Sequence, residues 1–324
     1  MTSEARWLSA TAAARFVLCQ AAAAPRMAPS IPVPTAPGNA GSLAHAAMSS
    51  WIESGGWRRP DAGPALQSNW DAEVVKWGLE RRILRDGVVT RARLGTRGAE
   101  LATLLTRAGT RARSELFIKD DVHGLYGQLD VVVDGSVDAG LVIDLKTGRE
   151  GGDFLSAVTR GQLLTYAHLF RVETGVLPQR VVVFSLRRGV LELGADPSEV
   201  DDFVARVASL VDESIRAAVP DQRVCRFCPR RLACEPHWTA ARTWEDPDCV
   251  EGRVIRVQHA ATGATSIQLD TAGVTGWLTG LRPEHLDGTP ALGQLIRAVR
   301  LGRRGSSEEP EWAATRVTRA VIRP

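Results

Sequence analysis

Apolar runs bounded by short polar stretches mark residues 113–119, 125–133 and 140–146 as strands, and the last two are rich in valine, leucine and isoleucine. Helices are predicted at 5–22, 41–53, 70–86 and around 97–108 before them, and at 153–173 after them. Ala23–Asn39, rich in proline and alanine, reads as a loop. Strands near 179–186 and 189–193 and a helix at 197–217 complete an α-β-β-β-α-β order, that of an α/β core with a mixed central sheet flanked by helices. From residue 246 the pattern shortens. Gly252–Gln258, Thr265–Asp270, Leu295–Leu301 and Arg316–Arg323 alternate apolar with polar residues, as half-buried antiparallel strands do. Four or five such strands predict a small β-barrel, OB-like in character. The expected division is a domain of residues 1–245 and a barrel of residues 246–324.

Chemistry enters at the third strand, Leu-Val-Ile-Asp-Leu-Lys-Thr-Gly over residues 141–148. Asp144 and Lys146 are two apart, so a strand presents both on one face. A carboxylate beside an ammonium suits the holding of a divalent metal and the positioning of a water for phosphodiester hydrolysis. Lysine occurs only at 76, 119 and 146, arginine supplying the other positive charges. A compact ammonium at 146 is therefore a chemical choice, distinct from a planar guanidinium. The preceding strand carries Asp130 ahead of a β-branched run, and a turn at Asp134-Gly135 with the Ser136–Gly140 loop suggests a hairpin between the two. Gln162 and Tyr166, at i and i+4, share one face of the helix that follows.

The order Gly127-x-x-Asp130, Asp144-x-Lys146-Thr-Gly, Gln162-x-x-x-Tyr166 resembles the RecB-type branch of the PD-(D/E)XK nucleases. That branch also has an upstream Gly-x-x-x-His, matched here by Gly41-Ser-Leu-Ala-His45. Glu115 stands where many relatives carry a glutamate one strand earlier, and Glu80 rivals His45 as the upstream ligand. The resemblance, over about residues 5–240, implies a restriction-endonuclease-like core. It implies that His45, Asp130, Asp144 and the Leu145 carbonyl hold Mg2+ or Mn2+. Lys146 would orient the attacking water and stabilise charge on the phosphate, with Gln162 and Tyr166 lining the groove by the scissile strand.

The cysteines form a second constellation: Cys225-x2-Cys228-x5-Cys234, with Cys19 far upstream and Cys249 beyond the pattern. So close a cluster, without a secretory signal, argues for metal rather than disulfides. It resembles the cysteine set of the iron–sulfur branch of the same family, which includes CRISPR-adaptation and AddB-like exonucleases. Relatives usually have proline after the upstream cysteine, where this chain has Gln20. Four thiolates at Cys19, Cys225, Cys228 and Cys234 suit a [4Fe–4S] cluster or Zn2+ equally in number, and the resemblance favours iron–sulfur.

Composition narrows the picture further. A net charge of +3 over 324 residues leaves nucleic-acid contact to local patches. Candidates are the run Arg226, Arg230, Arg231 and, on the barrel, Arg253, Arg256, Arg297, Arg300, Arg303 and Arg304, with Trp277 and Trp312 as stacking aromatics. No apolar run reaches transmembrane length and the alanine-rich start reads as a helix rather than a signal peptide, so a cytoplasmic protein is expected. No Gly-x-x-x-x-Gly-Lys-Ser/Thr occurs, so unwinding would need a helicase or a defence-complex partner. The expected function is a metal-dependent DNA nuclease acting on ends, flaps or single strands in repair, recombination or antiphage defence. The alternatives are a non-catalytic nucleic-acid-binding subunit and an RNA nuclease.

Overall fold

The strand Leu141–Lys146 (β4) is buried up to its last residue because strands flank it and helices cover both its faces. The computed structural model that shows this describes residues 6–323 apart from 33–34, 81–83, 85, 110, 135–139, 149–155, 195, 214–215, 246 and 307–308. The chain divides into two compact units, Met1–Arg216 and Ala217–Pro324.

In the first unit, Leu8–Ser9 (β1), Arg111–Asp120 (β2), Leu125–Asp134 (β3), β4, Arg180–Ser185 (β5) and Gly189–Leu193 (β6) form one mixed sheet in the order β1-β3-β4-β5-β6, with β2 paired to β3. β4 runs antiparallel to β3 and parallel to β5. The turn expected at Asp134-Gly135 falls largely outside the described residues. Helices Ala40–Glu53 (α2), Ala62–Lys76 (α3) and Gly87–Ala108 (α4) cover one face, meeting Val131, Val133, Leu141, Ile143 and Leu145. Ala10–Leu18 (α1), Ala157–Thr174 (α5) and Pro197–Asp212 (α6) cover the other, meeting Leu129, Val132, Val142 and Val181.

The caps explain several boundaries. Asn39 and Ser42 form a reciprocal capping box that starts α2. Ser156 accepts from Thr159 N at 3.1 Å to start α5, and Gly175, with φ of 83°, ends it. The first helix is shorter than the 5–22 expected. Ser9 caps it at Ala12 N, and Leu8 pairs in parallel with Leu125 instead of joining the helix. The expected 70–86 and 97–108 helices are also displaced, to Ala62–Lys76 and Gly87–Ala108. Tertiary packing of Ala62, Ala65 and Leu66 recruits a stretch whose glycine and proline disguise it.

The second unit is built on a closed barrel of Cys249–His259 (β7), Thr265–Asp270 (β8), Thr275–Leu281 (β9), Leu295–Gly305 (β10) and Pro310–Arg323 (β11), hydrogen-bonded in the cyclic order β7-β8-β9-β11-β10. Only β9 and β11 pair in parallel. β9 escaped the sequence pattern because Gly276 and Gly280 interrupt its alternation. A Cβ on Gly276 would stand 2.5 Å from the Pro310 carbonyl, so the close parallel pairing demands that glycine. Two short helices, Gln222–Cys225 (α7) and Glu235–Ala241 (α8), belong to this unit, and Trp238 packs with Cys249 and Val299. No described helix is long and apolar enough to cross a membrane.

Candidate active site

The ladder between β3 and β4 stops at Val131–Ile143, and the candidate residues gather in the gap that opens beyond it. Leu145 N–H would there lack a strand partner; it donates instead to Asp130 Oδ2 at 2.6 Å. The Leu145 carbonyl leaves the strand on that same edge, because a strand residue's N–H and C=O share a direction. Asp144 and Lys146 alternate with Leu145 and so follow Val142 toward α5.

Asp144 is 2% exposed. Its Oδ1 accepts from Lys146 Nζ at 3.1 Å and Gln162 Nε2 at 3.2 Å. Its Oδ2 lies 2.8 Å from Lys146 Nζ but off the donor direction, and has no hydrogen-bond partner among the described residues. A buried carboxylate oxygen left in that state is costly in a finished core and ordinary in a site awaiting a cation. Burial pushes Asp144 up to about 6, the Asp130 charge adding to this and Lys146 opposing it.

On the other side of the gap, His45 of α2 points Nδ1 at Asp130 Oδ1, 3.2 Å away, and at Glu115 Oε1, 3.8 Å away. Burial alone would lower its pKa, but the two carboxylates overcome that and raise it to about 10. One ligand atom from each of His45, Glu115 and Asp130 falls within a 4.8 Å group, a suitable donor set for a divalent ion. Asp144, turned toward Lys146, is not in that group. Glu115, noted in the sequence by position and left out of the expected ligand set, is thus among the residues brought together. It opposes Asp130 across β2 and β3 and holds φ at 51°, a left-handed conformation inside a strand. Spacing carries no trace of that twist. Glu80 lies exposed beyond α3 and outside the group.

The glycines of the motif have steric reasons. A Cβ on Gly127 would stand 2.9 Å from Tyr166 Cε1 and Leu169 Cδ1, so its absence lets α5 approach β3. A Cβ on Gly41 would stand 2.8 Å from Thr147 Oγ1, just after Lys146, so α2 can dock there only with glycine. Gln162 is held by Tyr166, its Nε2 donating to the phenol oxygen at 3.0 Å, and Lys146 Nζ reaches Gln162 Oε1 at 3.4 Å. Burial and the nearby carboxylates push the Tyr166 phenol well above its usual value, so it stays protonated.

A second group, Asp120, His123 and His168, also meets the geometric requirement for a cation. Its hydrogen bonds argue otherwise. Arg171 Nη2 donates to His168 Nδ1 at 3.2 Å, leaving the hydrogen on Nε2, which faces Asp120 Oδ2 at 2.7 Å. An imidazole in that tautomer offers no lone pair to a metal there.

None of the four cysteines of the second unit is in a disulfide, nor is Cys19 in the first. Cys228 N–H donates to Cys225 O at 3.0 Å, closing a tight turn. Burial pushes the Cys249 thiol up to about 12, an inert core residue. Three expected contacts with nucleic acid are corrected. Arg231 is 1% exposed and donates to both oxygens of Asp248, at 2.9 and 3.2 Å. Arg297, 5% exposed, is held by Glu235 and Glu251. Trp312 is buried in the barrel core. A buried guanidinium satisfied by carboxylates has nothing left for a phosphate.

Among solved structures, the chain is similar to the tetrameric p202 HIN2 crystal structure, at 16% identity over 25% of this chain and a TM-score of 0.19; it spans 43% of that chain. It is also similar to the crystal structure of SSO0001, at 16% identity over 64% of this chain and 90% of that one, with a TM-score of 0.27. Neither likeness bears on function. No curated protein is matched. A family model does match, over residues 8–235, a span that contains the gap between β3 and β4 and every side chain around it, and by that match the chain belongs to the PD-(D/E)XK nuclease superfamily.

Proposed function

We propose that the chain is a divalent-metal-dependent deoxyribonuclease of RecB type, cutting DNA ends, flaps or single strands, with the gap between β3 and β4 as its active site. The observation that carries this reading is the buried Asp144, paired to Lys146 and left with an unsatisfied oxygen, beside the His45–Glu115–Asp130 donor group. Asp130, Asp144, Glu115, His45 and the Leu145 carbonyl would hold Mg2+ or Mn2+, the imidazole favouring Mn2+. A cation so held supplies Lewis-acid stabilisation of phosphate charge and a more acidic bound water.

The chain's own residues do the rest. Lys146 places an ammonium at the mouth of the gap, where it orients the attacking water and meets charge building on the phosphate. Gln162 fixes Lys146 and Asp144 relative to each other, and Tyr166 anchors Gln162. Purified protein with end-labelled single-stranded DNA, duplex DNA and RNA, in Mg2+ and in Mn2+, tests the assignment. Cleavage of RNA alone would replace DNA as substrate, and no cleavage in either metal would leave a nucleic-acid-binding subunit.

We further propose that Cys19, Cys225, Cys228 and Cys234 bind a [4Fe–4S] cluster in a cytoplasmic protein, with Zn2+ as the rival metal. The reading rests on spacing and on thiols that stay out of disulfides. Metal analysis of anaerobically purified protein decides it. Four irons that fall with Cys234→Ala support the cluster, and one stoichiometric zinc replaces it.

A further inference from the structure

Phe227 is 62% exposed in the middle of the Cys225–Cys228 turn. Around it the backbone is fixed. Asp221 caps α7 through Arg223 N and Val224 N, each at 2.9 Å. The turn closes from Cys228 N to Cys225 O, Pro229 follows, and buried Arg231 ties the segment to Asp248 and to the Cys225 carbonyl. A large aromatic held in water on a rigid turn is a recognition feature, because the fold gains nothing from its exposure.

Charge identifies what it recognises. Arg223, Arg226 and Arg230 are exposed within four positions of Phe227 along the chain, and the Arg226 guanidinium lies 5.7 Å from the ring centroid. The neighbouring acids are drawn into internal contacts: Asp221 on the cap, Asp248 on Arg231 with the exposed Arg226 3.9 Å from its other oxygen, Glu235 on Arg297. An aromatic face framed by cations fits a base and its flanking phosphates. The barrel points the same way. OB domains ordinarily grip oligonucleotides through their second and third strands, yet here β8 and β9 contain neither arginine nor lysine. Exposed Arg253, Arg256, Arg303 and Arg304 lie on β7 and β10, against which the cysteine segment packs through Trp238, Cys249 and Val299.

We infer that Phe227 is a base-stacking residue for single-stranded nucleic acid, with Arg226 and Arg230 as its phosphate contacts. The inference deepens the nuclease reading by naming a contact for the substrate strand, and it rests on that reading for the substrate's class. Stacking needs an unpaired base, so the site selects single strands over blunt duplex.

The test is fluorescence anisotropy with a labelled oligothymidine, the same strand made abasic, and a blunt duplex, without added divalent cation. The parent should prefer the oligothymidine to the abasic strand by about tenfold, the contribution of one stacked base. Phe227→Leu should erase that preference and leave the salt dependence alone, since no charge is removed. Phe227→Trp should keep it. Arg226→Gln and Arg230→Gln should keep the base preference and each flatten the salt slope by about 0.7. A parental preference in Phe227→Leu, or its loss in a Phe227→Trp protein that melts like the parent, would overturn the stacking role. A parent that binds no single strand would also overturn it, while the separate cleavage assay would still decide the nuclease reading.

Discussion

Glu115 shows how a single residue can defeat sequence logic. Within an otherwise regular strand it takes a left-handed φ of 51°, a strain of about 1–3 kcal/mol that the surrounding sheet sustains. The Asp144-x-Lys146 pair, by contrast, was legible, because strand alternation alone puts both on one face. Burial gives Asp144 a stability consequence. Its folded pKa, about 6, exceeds the ordinary carboxylate value. Protonation therefore stabilises the fold at low pH, and that contribution is lost as pH rises through 6. Asp144→Asn, neutral at every pH, should raise the stability of the metal-free protein at pH 7 by about 1 kcal/mol while removing catalysis. Thermal melting in the absence of metal checks the first half, and an unchanged or lower melting temperature contradicts it. His45 supplies a second pH effect. In the metal-free site it is a histidinium between two carboxylates, so ligation must release its proton. Mn2+ affinity should therefore climb about tenfold per pH unit near neutrality, as calorimetry across buffers would show.

At the scale of elements, α5 organises the first unit. One face carries Gln162 and Tyr166 to the candidate site, and His168 reaches the far end of β2. The i, i+4 pair was readable from spacing. The bond from His168 to Asp120 was not, since 48 positions separate the two and nothing local connects them. Asp120 accepts from His123, His168 and Val122 N, which hold its carboxyl below the usual range against the burial that raises it. Burial likewise lowers His168 below its ordinary value. The signs agree. The Asp120 contribution is complete above the ordinary carboxylate pKa and is lost as pH falls through the lower folded one. The His168 contribution is complete above the ordinary histidine value and declines as pH falls below it. Acid should thus loosen the β2–β3 turn from α5. Asp120→Ala should cost about 3 kcal/mol at pH 7 and widen the difference between melting at pH 7 and at pH 5, because the Asp120 carboxylate is what opposes the fall in the His168 pKa. A variant that melts like the parent at both pH values would show that the network contributes nothing.

Over the whole molecule, the chain's order of elements was legible and its partition was less so. Alternation announced a barrel after residue 246, yet the compact unit begins at Ala217. The signal that moves the boundary is long-range: Arg231 to Asp248, Arg297 to Glu235, Trp238 with Val299. Charged residues there read as a solvated, phosphate-facing surface in sequence because only the fold shows which carboxylates they meet. Asp248→Ala leaves the Arg231 guanidinium buried and unpaired, and should destabilise the protein by about 3–5 kcal/mol in denaturant melts. A loss below 1 kcal/mol would mean the pair does not hold the cysteine segment in place.

The central claim is that the gap between β3 and β4 hydrolyses phosphodiesters. Cleavage of end-labelled DNA by Asp144→Ala and Lys146→Ala, beside the parent and in both Mg2+ and Mn2+, tests it most directly. Both variants should lose at least about a hundredfold in rate while melting no lower than the parent by more than a few degrees, because Asp144 holds the metal and Lys146 meets phosphate charge that arises only in the reaction. Parental rates for Asp144→Ala in either metal would place the chemistry elsewhere in the molecule.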